Sequence, residues 1–248
     1  MLFYVAHTTT TQNSAKALCC LNSSRVALWH QAALQSNGVG QRGAYWHSLP
    51  GNLHITGCFL DTNQLLPGQV SIAVGVALAQ MLENLGIQQT ISLKWPNDLL
   101  IDGKKCGGVL IEKQQDAYFI GIGININSHP ENVDTPATHL NLYGDFNLWE
   151  ISLKVQQSVT NALNTISASQ ETEDDAMTHT GLPRCARNDD TTVNFSAIQT
   201  KWWNFAKCSV HQWITKEPIN GEVVGIDNQG QLLIKGPNGI LQAKHNRL

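Results

Sequence analysis

Short apolar runs separated by polar turns predict a series of strands, with longer helical segments between them. Runs rich in Val, Ile and aromatic residues are typical of strands, and they lie at residues 3–6, 25–33, 53–60, 91–93, 106–111 and 118–127. Apolar residues that recur every three or four positions are typical of helices, and they lie after residues 7–14, between 70 and 85, and between 145 and 166. Strands and helices are therefore mixed throughout residues 1–166.

The helix between residues 70 and 85 is apolar over a wide face, so we expect it to be buried against a sheet. Gly86 is suited to end this helix, because glycine readily adopts the left-handed conformation found at helix C-termini. Together the elements predict an α+β fold in which helices pack on a mixed β-sheet. Residues 1–166 are taken as the main domain.

The C-terminal third has a different pattern. Residues 167–200 are polar, with an acidic run at 171–175, and predict a poorly ordered linker or insertion. Residues 201–248 regain apolar positions, and residues 222–234 are typical of a hairpin with a glycine turn, followed by another short strand. Short strands at such spacing predict a small β-barrel.

Composition narrows the class of protein. The 248 residues carry a formal net charge of −3, so we expect no bulk attraction to nucleic acid or to an anionic membrane. The six cysteines form no Cys-x-x-Cys pair and no zinc-like cluster with histidine, which predicts free and mostly buried thiols in a cytoplasmic protein. No apolar segment reaches membrane-spanning length.

Residues 94–112 hold the densest set of chemically useful side chains. Asp102-Gly103 is a type I′ hairpin signal between two apolar runs. Trp95-Pro96 is an unusual pair in mid-strand, because proline donates no ladder hydrogen bond, so another demand is expected to keep it there. Two cations, an amide and a carboxylate outline an anion site; they belong to Lys94, Lys105, Asn97 and Asp98. The alternative is an ordinary hairpin with solvated lysines.

Two polar segments near the N-terminus are candidate ligand-binding loops. The threonine-rich run at 7–14 is typical of a helix start, where hydroxyls cap free N–H groups and anions are attracted. Residues 38–43 spell Gly-x-Gly-x-x-Gly, but a dinucleotide fingerprint requires a helix directly afterwards, and residues 46–51 with Pro50 prevent one. We expect instead a flexible glycine loop whose backbone can approach a phosphate.

The strand at 118–127 alternates Gly121 and Gly123 with isoleucines. Glycines on one face of a strand leave room for a ligand, and Asn125 is expected to point to the same side. His54 lies in the strand at 53–60, where the local spacing pairs it with no base or nucleophile. A plain sheet residue and a pocket residue both remain open for His54.

Taken together, these motifs resemble the signature of the biotin protein ligases. Residues 94–98 read Lys-Trp-Pro-Asn-Asp, residues 104–112 read Lys-Lys-Cys-Gly-Gly-Val-Leu-Ile-Glu, and residues 121–125 read Gly-Ile-Gly-Ile-Asn. Three further blocks resemble the family. They are residues 10–12, Thr-Thr-Gln, where the family has Ser-Thr-Asn or Ser-Thr-Gln, residues 40–46, Gly-Gln-Arg-Gly-Ala-Tyr-Trp, and residues 50–53, Pro-Gly-Asn-Leu. A long composite pattern in the right order is more specific than any single motif.

The resemblance implies a fold, an activity and partners. The fold is the class II synthetase-like fold of biotin and lipoate ligases, with an SH3-like barrel at the C-terminus. The activity is the ATP- and Mg²⁺-dependent formation of biotinyl-5′-AMP, followed by transfer of biotin to a lysine of the biotin carboxyl carrier protein of acetyl-CoA carboxylase. We expect a monomer or weak homodimer, and no repressor role, since no helix-turn-helix precedes the matched region.

The resemblance also assigns site residues. Lys105 falls on the family's reactive-site lysine and is expected to be catalytic. Residues expected to bind biotin are Thr10, Thr11, Gln12, Gln35, Val39, Gly40, Gln41 and Lys105. Residues expected to bind ATP or the adenylate are Gly38, Arg42, Trp46, Lys94, Asn97, Asp98 and Asn125. No residue is assigned as a metal ligand.

The glycine loop departs from the commonest family pattern. Val39, Gln41 and Ala44 stand where that pattern has arginines, which leaves Arg42 as the only basic residue of the loop. A weaker hold on the adenylate is the expected consequence. Two alternatives stay open. One is a lipoate-type acyltransferase or ligase on the same fold, which the Lys-Trp-Pro-Asn-Asp motif disfavours, and the other is a catalytically weakened protein that binds biotin or an adenylate, which the arginine-poor loop makes plausible.

Overall fold

A seven-stranded sheet forms the centre of the computed structural model, which describes residues 1–21, 28–60, 65–178, 195–206, 222–236 and 239–243. Its strands are β1 (Leu2–Thr8), β2 (Leu28–Gln35), β3 (Leu53–Leu60), β4 (Ile91–Lys94), β5 (Asp98–Ile101), β6 (Lys104–Gln114) and β7 (Ala117–Ile124). The helices are α1 (Thr11–Leu21), α2 (Pro67–Asn84), α3 (Leu148–Thr178) and α4 (Ser196–Ala206). A second sheet contains β8 (Glu222–Ile226), β9 (Leu232–Gly236) and β10 (Gly239–Ala243).

The central sheet is mixed, as the sequence predicts. Its strand order is β1-β2-β3-β7-β6-β5-β4. β1 and β2 are parallel, because α1 carries the chain back across the sheet between them. All other neighbours are antiparallel. None of the helices in the described ranges is long and apolar enough to cross a membrane.

The two faces of the sheet are covered differently. On one face, α2, α3 and α4 belong to a large core with the alternate residues Ile120, Ile122 and Ile124 of β7. On the other face, α1 covers only part of the sheet, with a small cluster that includes Ala15 and Phe119. The part of the second face that α1 leaves uncovered is the site of the cavity described below.

Two sequence predictions about helices require correction. α3 begins at Leu148 and not at residue 145, because the Asn147 side chain accepts a hydrogen bond from the N–H of Trp149 and caps the helix there. The poor order expected at 167–200 is corrected in two parts, since α3 continues to Thr178 and α4 occupies Ser196–Ala206. Residues 179–194 of that prediction lie outside the described residues. Trp202 of α4 is fully buried in the large core.

The Trp95-Pro96 pair is not in mid-strand. The structure places it in the tight turn between β4 and β5, with a cis peptide bond. Proline there removes no ladder hydrogen bond, so the conflict with strand chemistry that the sequence indicates does not arise. The Asp102-Gly103 turn is confirmed, because both residues have positive φ, 47° and 73°, as a type I′ turn requires.

The C-terminal sheet packs against the Trp95 turn. Its order is β10-β9-β8, and in the described residues it is open, so the predicted barrel is not confirmed. Trp95 Nε1 donates a hydrogen bond of 2.9 Å to the carbonyl of Gly230, in the turn between β8 and β9. The Gln69 side chain, at the start of α2, donates to the carbonyl of Asn228 in the same turn. The C-terminal sheet is thus fixed to the motif at residues 94–98.

We predict that Trp95→Phe destabilises the fold by about 1–3 kcal/mol, because the Gly230 carbonyl then lacks its buried donor. Urea unfolding of the full chain measures this change. Trp149→Phe is the matched control, since Trp149 is half exposed and makes a surface contact with the Tyr4 ring. Equal losses in the two variants would contradict the prediction.

Candidate active site

A cavity of about 250 Å³ opens on the α1 face of the sheet. It is bounded by the start of α1, the end of β2, the loop at residues 38–46, the β5–β6 hairpin and the middle of β7. Eleven of the fifteen predicted site residues line it: Thr10, Thr11, Gln12, Gln35, Val39, Gly40, Gln41, Trp46, Asn97, Asp98 and Lys105. Gly38, Arg42, Lys94 and Asn125 are the predicted residues that do not line it.

The polar wall of the cavity is a chain of hydrogen bonds that starts in β3. Thr56 Oγ1 donates to Thr11 Oγ1 at 2.8 Å, and Thr11 Oγ1 donates to Gln35 Oε1 at 3.2 Å. The Gln35 amide nitrogen then donates to Ser48 Oγ at 3.0 Å. Each hydrogen bond in this series fixes the orientation of the next group. The Gln35 amide nitrogen uses one of its two N–H groups for Ser48, so the other N–H is available to the cavity.

The threonine-rich run caps α1 and also lines the cavity. Thr10 Oγ1 accepts a hydrogen bond of 3.0 Å from the N–H of Asn13, which is the contact expected of an N-cap residue. The N–H of Thr11 donates to Gln35 Oε1 at 2.8 Å, so Gln35 satisfies a second free donor at this helix end. The capping role and the cavity role predicted for these residues are therefore compatible.

Lys105 is the cation of the cavity wall. Its Nζ lies 2.6 Å from Asp98 Oδ1 and 5.7 Å from the centre of a Trp46 ring. The pairing of β5 with β6 shifts by one residue next to Lys105, because Leu99 pairs with Gly107 but Leu100 pairs with Lys105. Such a β-bulge changes the direction of the side chains beside it. The neighbouring Lys104 is exposed and does not line the cavity.

The turn that precedes β5 holds a second pair of predicted residues. The Asn97 side chain donates to the carbonyl of Val109 at 2.9 Å, and the Val109 N–H donates back to the Asn97 carbonyl at 3.0 Å. These bonds fix the turn beside β6, so Asp98 is presented to Lys105. Lys94 precedes the turn and lies outside the cavity.

The loop at residues 38–46 is a small hairpin and not the flexible loop that its glycines indicate. The N–H of Trp46 donates to the carbonyl of Gly38, and the N–H of Gly40 donates to that of Ala44. Gly38 is needed because a side chain there would collide with the Trp46 carbonyl. The described residues between this loop and α2 (47–60 and 65–66) form no helix, so the rejection of a dinucleotide fingerprint is confirmed. Arg42, at the tip, is exposed with a φ of 55°.

Trp46 lies across the glycine surface of the sheet. A β-carbon at Gly123 would collide with the indole, whereas one at Gly108 would be in ordinary contact with it. The predicted free face at Gly121 and Gly123 is thus present, and in this structure Trp46 covers part of it. This explains why the cavity is smaller than the roughly 300–1,000 Å³ of common ligand sites.

His54 holds the Trp46 indole, a role that the sequence pattern does not reveal. Trp46 Nε1 donates to His54 Nδ1 at 3.4 Å, and His54 Nε2 lies 3.4 Å from the carbonyl of Leu49. Burial lowers the pKa of His54 to about 4, against a smaller opposing effect of the Leu49 carbonyl. The neutral ring therefore donates from Nε2 and accepts at Nδ1, which matches both contacts.

Asn125 does not point into the cavity as predicted. Its side-chain amide is buried and donates to the carbonyl of Thr138 at 3.0 Å. The alternation of sides holds only within a strand, and β7 ends at Ile124. Asn125 therefore supports the segment that runs beside Lys105 and does not contact a ligand in the described cavity.

The loop that follows β7 is tied at both ends. At its start, Asn52 Oδ1 accepts hydrogen bonds from the N–H groups of residues 126–128. At its end, the N–H of Lys105 donates to the carbonyl of Pro136, and that of Thr138 donates to the Lys105 carbonyl. The loop ends thus brace the backbone of Lys105 from outside the sheet.

Among the described residues, no group of three or more His, Cys, Asp or Glu side chains is arranged to hold a metal ion. Asp98 is the carboxylate that lines the cavity, and it is paired with Lys105. A single carboxylate is compatible with a Mg²⁺ ion that arrives with substrate phosphates, because such ions keep few protein ligands.

We predict that Gly123→Ala displaces the Trp46 indole, whereas Gly108→Ala leaves it in place. The expected result is greater acrylamide quenching of Trp46 fluorescence in the first variant alone. Because the chain has seven tryptophans, the Trp46 signal is obtained by subtracting the signal of the matching Trp46→Phe variant. Unchanged Trp46 quenching in Gly123→Ala would show that the indole does not rest on Gly123.

Comparison with known proteins gives the family. The model of the biotin/lipoate A/B protein ligase family matches residues 4–127. A bifunctional ligase/repressor BirA of Bacillus spizizenii is 30% identical over 254 residues, which cover 96% of this chain and 70% of the relative. A biotin–acetyl-CoA-carboxylase ligase of Paracoccus denitrificans is 30% identical over 135 residues, 49% of this chain and 54% of the relative.

A solved structure is similar over nearly the whole chain. It is the R40G mutant of a biotin protein ligase from Aquifex aeolicus in complex with biotin, with a TM-score of 0.73, 25% identity, and coverage of 98% of this chain and 94% of that one. The mixed sheet with packed helices is therefore the biotin protein ligase fold. The chain belongs to the biotin/lipoate A/B protein ligase family, and the resemblance to biotin protein ligases that its motifs indicate is confirmed.

Proposed function

We propose that the chain attaches biotin to a lysine of a biotin carboxyl carrier protein, using ATP and passing through biotinyl-5′-AMP. The observation that supports this most directly is the composition of one cavity. It joins a neutral hydrogen-bonding wall, at Thr11 and Gln35, to a cation at Lys105. Biotin has the same two parts, a neutral ureido ring and a carboxylate.

The neutral wall favours biotin over lipoate. The ureido ring has one carbonyl acceptor and two N–H donors, whereas the dithiolane ring of lipoate has none of these groups. Gln35 has an N–H available to a ligand carbonyl, and Gln12 Oε1 is a buried acceptor with no partner in the described residues. A dithiolane ring would leave both unsatisfied, which costs about 1–3 kcal/mol for each group.

Activation of biotin brings two anions together, a carboxylate and a triphosphate. The repulsion between them must be offset by cations. We assign this role to Lys105, whose ammonium group is held in the cavity by Asp98, and we assign Asn97 to the same part of the site. Mg²⁺ would enter with the triphosphate and supply further charge neutralisation, with Asp98 as the available carboxylate.

Transfer of biotin to the carrier requires no covalent enzyme intermediate. The ε-amine of the carrier lysine attacks the mixed anhydride directly, and AMP leaves. The cavity wall offers no activated nucleophile that would suggest otherwise. Cys106 lies next to Lys105, but burial raises the pKa of its thiol, so it remains protonated and packs in the core.

The remaining assignments rest on the family. Gly38, Arg42, Lys94 and Asn125 lie outside the cavity of the described structure, so a contact with the adenylate requires the loop or the turn to move. The three-stranded C-terminal sheet is proposed to be part of an SH3-like barrel. We further propose a cytoplasmic location, in keeping with the free thiols of Cys19, Cys20, Cys58 and Cys106, and a monomer or weak homodimer.

The second candidate function is a protein that binds biotin or an adenylate with little catalysis. Its support is the exposed position of Arg42, the only basic residue of the loop. Incubation with labelled biotin, ATP and a carrier domain separates the two functions. Label on the carrier lysine supports the ligase, and tight binding of biotin without transfer supports the second candidate.

We predict that Lys105→Ala abolishes formation of biotinyl-5′-AMP and leaves the fold intact, because the variant lacks the cavity cation. Lys104→Ala is the matched control, since Lys104 is exposed one residue away. Thin-layer separation of the labelled adenylate, with circular dichroism as a check of folding, measures both. Similar losses in the two variants would show that the wrong lysine has been assigned.

We predict that the loop releases biotinyl-5′-AMP readily and that Gln41→Arg slows the release by about tenfold. A charge-assisted hydrogen bond to phosphate contributes about 1.5–3 kcal/mol, and 1.4 kcal/mol corresponds to tenfold in affinity. Single-turnover release of labelled adenylate and labelling of an unrelated lysine-rich protein are the measurements. Gln114→Arg, on the exposed end of β6, controls for added charge. Confinement of label to the carrier, with no effect of Gln41→Arg, would refute the idea.

A further inference from the structure

We propose that Glu112 is a positioning residue that orients the Gln12 amide for the ureido ring of biotin. Gln12 Nε2 donates to Glu112 Oε2 at 2.6 Å, and the same nitrogen lies 3.4 Å from the carbonyl of Phe119. This inference rests on the proposed function, because it identifies the chemical class of ligand that the oriented amide selects. That class is a cyclic urea with an N–H donor.

The two partners of Gln12 Nε2 are both acceptors. An ionised carboxylate and a backbone carbonyl offer no hydrogen atom, so only the NH₂ group of the Gln12 amide can face them. The reversed amide would set its oxygen against both acceptors. Glu112 therefore decides which of the two Gln12 atoms remains for the cavity, and that atom is the oxygen.

Lys16 holds Glu112 in this position. Lys16 Nζ lies 3.2 Å from Glu112 Oε1, the carboxylate oxygen that Gln12 does not use. Lys16 follows Gln12 by four residues on α1, so both side chains lie on the same face of the helix. The carboxylate is thus held by two side chains of α1, and each of its oxygens has a partner.

The oxygen of Gln12 is the second, independent observation. Gln12 is only 7% exposed, and its Oε1 is buried without a hydrogen-bond partner among the described residues. This oxygen lies against Gly121, on the wall of the cavity. Buried acceptors in folded proteins nearly always have partners, so an unpaired acceptor beside a ligand cavity points to a donor supplied by the ligand.

The consequence is discrimination between ligands by their N–H groups. A ring that retains both ureido N–H groups satisfies Gln12 Oε1, whereas a ring methylated on the facing nitrogen does not. Glu112→Gln would weaken this selection, because the new NH₂ group can face the Gln12 oxygen, and the Phe119 carbonyl then remains as the acceptor that favours the original orientation. Glu112 itself is not expected to touch the ligand.

The test compares biotin with its two N-methyl derivatives, each methylated on one ureido nitrogen, by calorimetric titration of the full chain without ATP. The wild type is expected to bind one of the derivatives much more weakly than biotin. Glu112→Gln is expected to bind biotin about tenfold more weakly, as expected for a lost hydrogen bond, and to discriminate less between biotin and that derivative. Lys16→Met is expected to show a smaller change of the same kind.

Glu150→Gln is the matched control. Like Glu112→Gln, this substitution removes a carboxylate that is paired with a lysine. Glu150 pairs with Lys154, four residues later on α3, and lies at the protein surface. Thermal unfolding of each variant shows whether it is folded. A folded Glu112→Gln variant with wild-type affinity, or with equal losses for biotin and both derivatives, would overturn the proposal.

The failure of this inference is distinguishable from the failure of the proposed function. If the wild-type chain binds no biotin, both are overturned. If it binds biotin and transfers it to a carrier, the proposed function stands, and only the comparison between the wild type and Glu112→Gln decides on the positioning role.

Discussion

The two faces of β7 impose the constraint on which the site depends. Ile120, Ile122 and Ile124 bury their side chains under α2 and α3, so the strand is fixed by its apolar face. Gly121 and Gly123 on the opposite face then leave bare backbone, onto which Trp46 and the Gln12 side chain pack. The alternation of isoleucine and glycine along β7 thus gives the strand one well-packed face and one open face. Because β7 lies between β3 and β6, both neighbours contribute side chains to the space above it.

The ion pair between Lys105 and Asp98 is better suited to function than to stability. Its side chains are 27% and 16% exposed, and partly exposed pairs contribute only about 0–1 kcal/mol. Exchange of Asp98 for an incoming anion would therefore cost the fold little. Until then, Asp98 keeps Lys105 directed into the cavity and away from solvent. In the proposed reaction, Lys105 would exchange Asp98 for an anionic substrate group.

Local patterns predict local structure well in this chain. The Asp102-Gly103 turn, the cap at Thr10 and the glycine face of β7 follow from short-range backbone chemistry. The contacts that the sequence could not predict are distant ones, such as Trp95 with Gly230 and Gln12 with Glu112. The acidic run at 171–175 was a misleading signal, because α3 continues through it to Thr178. Asn125 was misplaced because strand alternation was extended one residue beyond the strand.

Hydrogen bonds hold the loop after β7 at both of its ends and leave the position of its middle less constrained. Asn52 fixes residues 126–128, and the contacts of Lys105 fix residues 136–138, so we expect changes between these points to leave the position of Lys105 unaltered. Doubling the length of a flexible loop costs only about 0.6 kcal/mol in closure entropy. Residues 130–135 are therefore a permissive site for protein engineering, where an epitope or a docking peptide for a chosen carrier can be inserted beside the cavity.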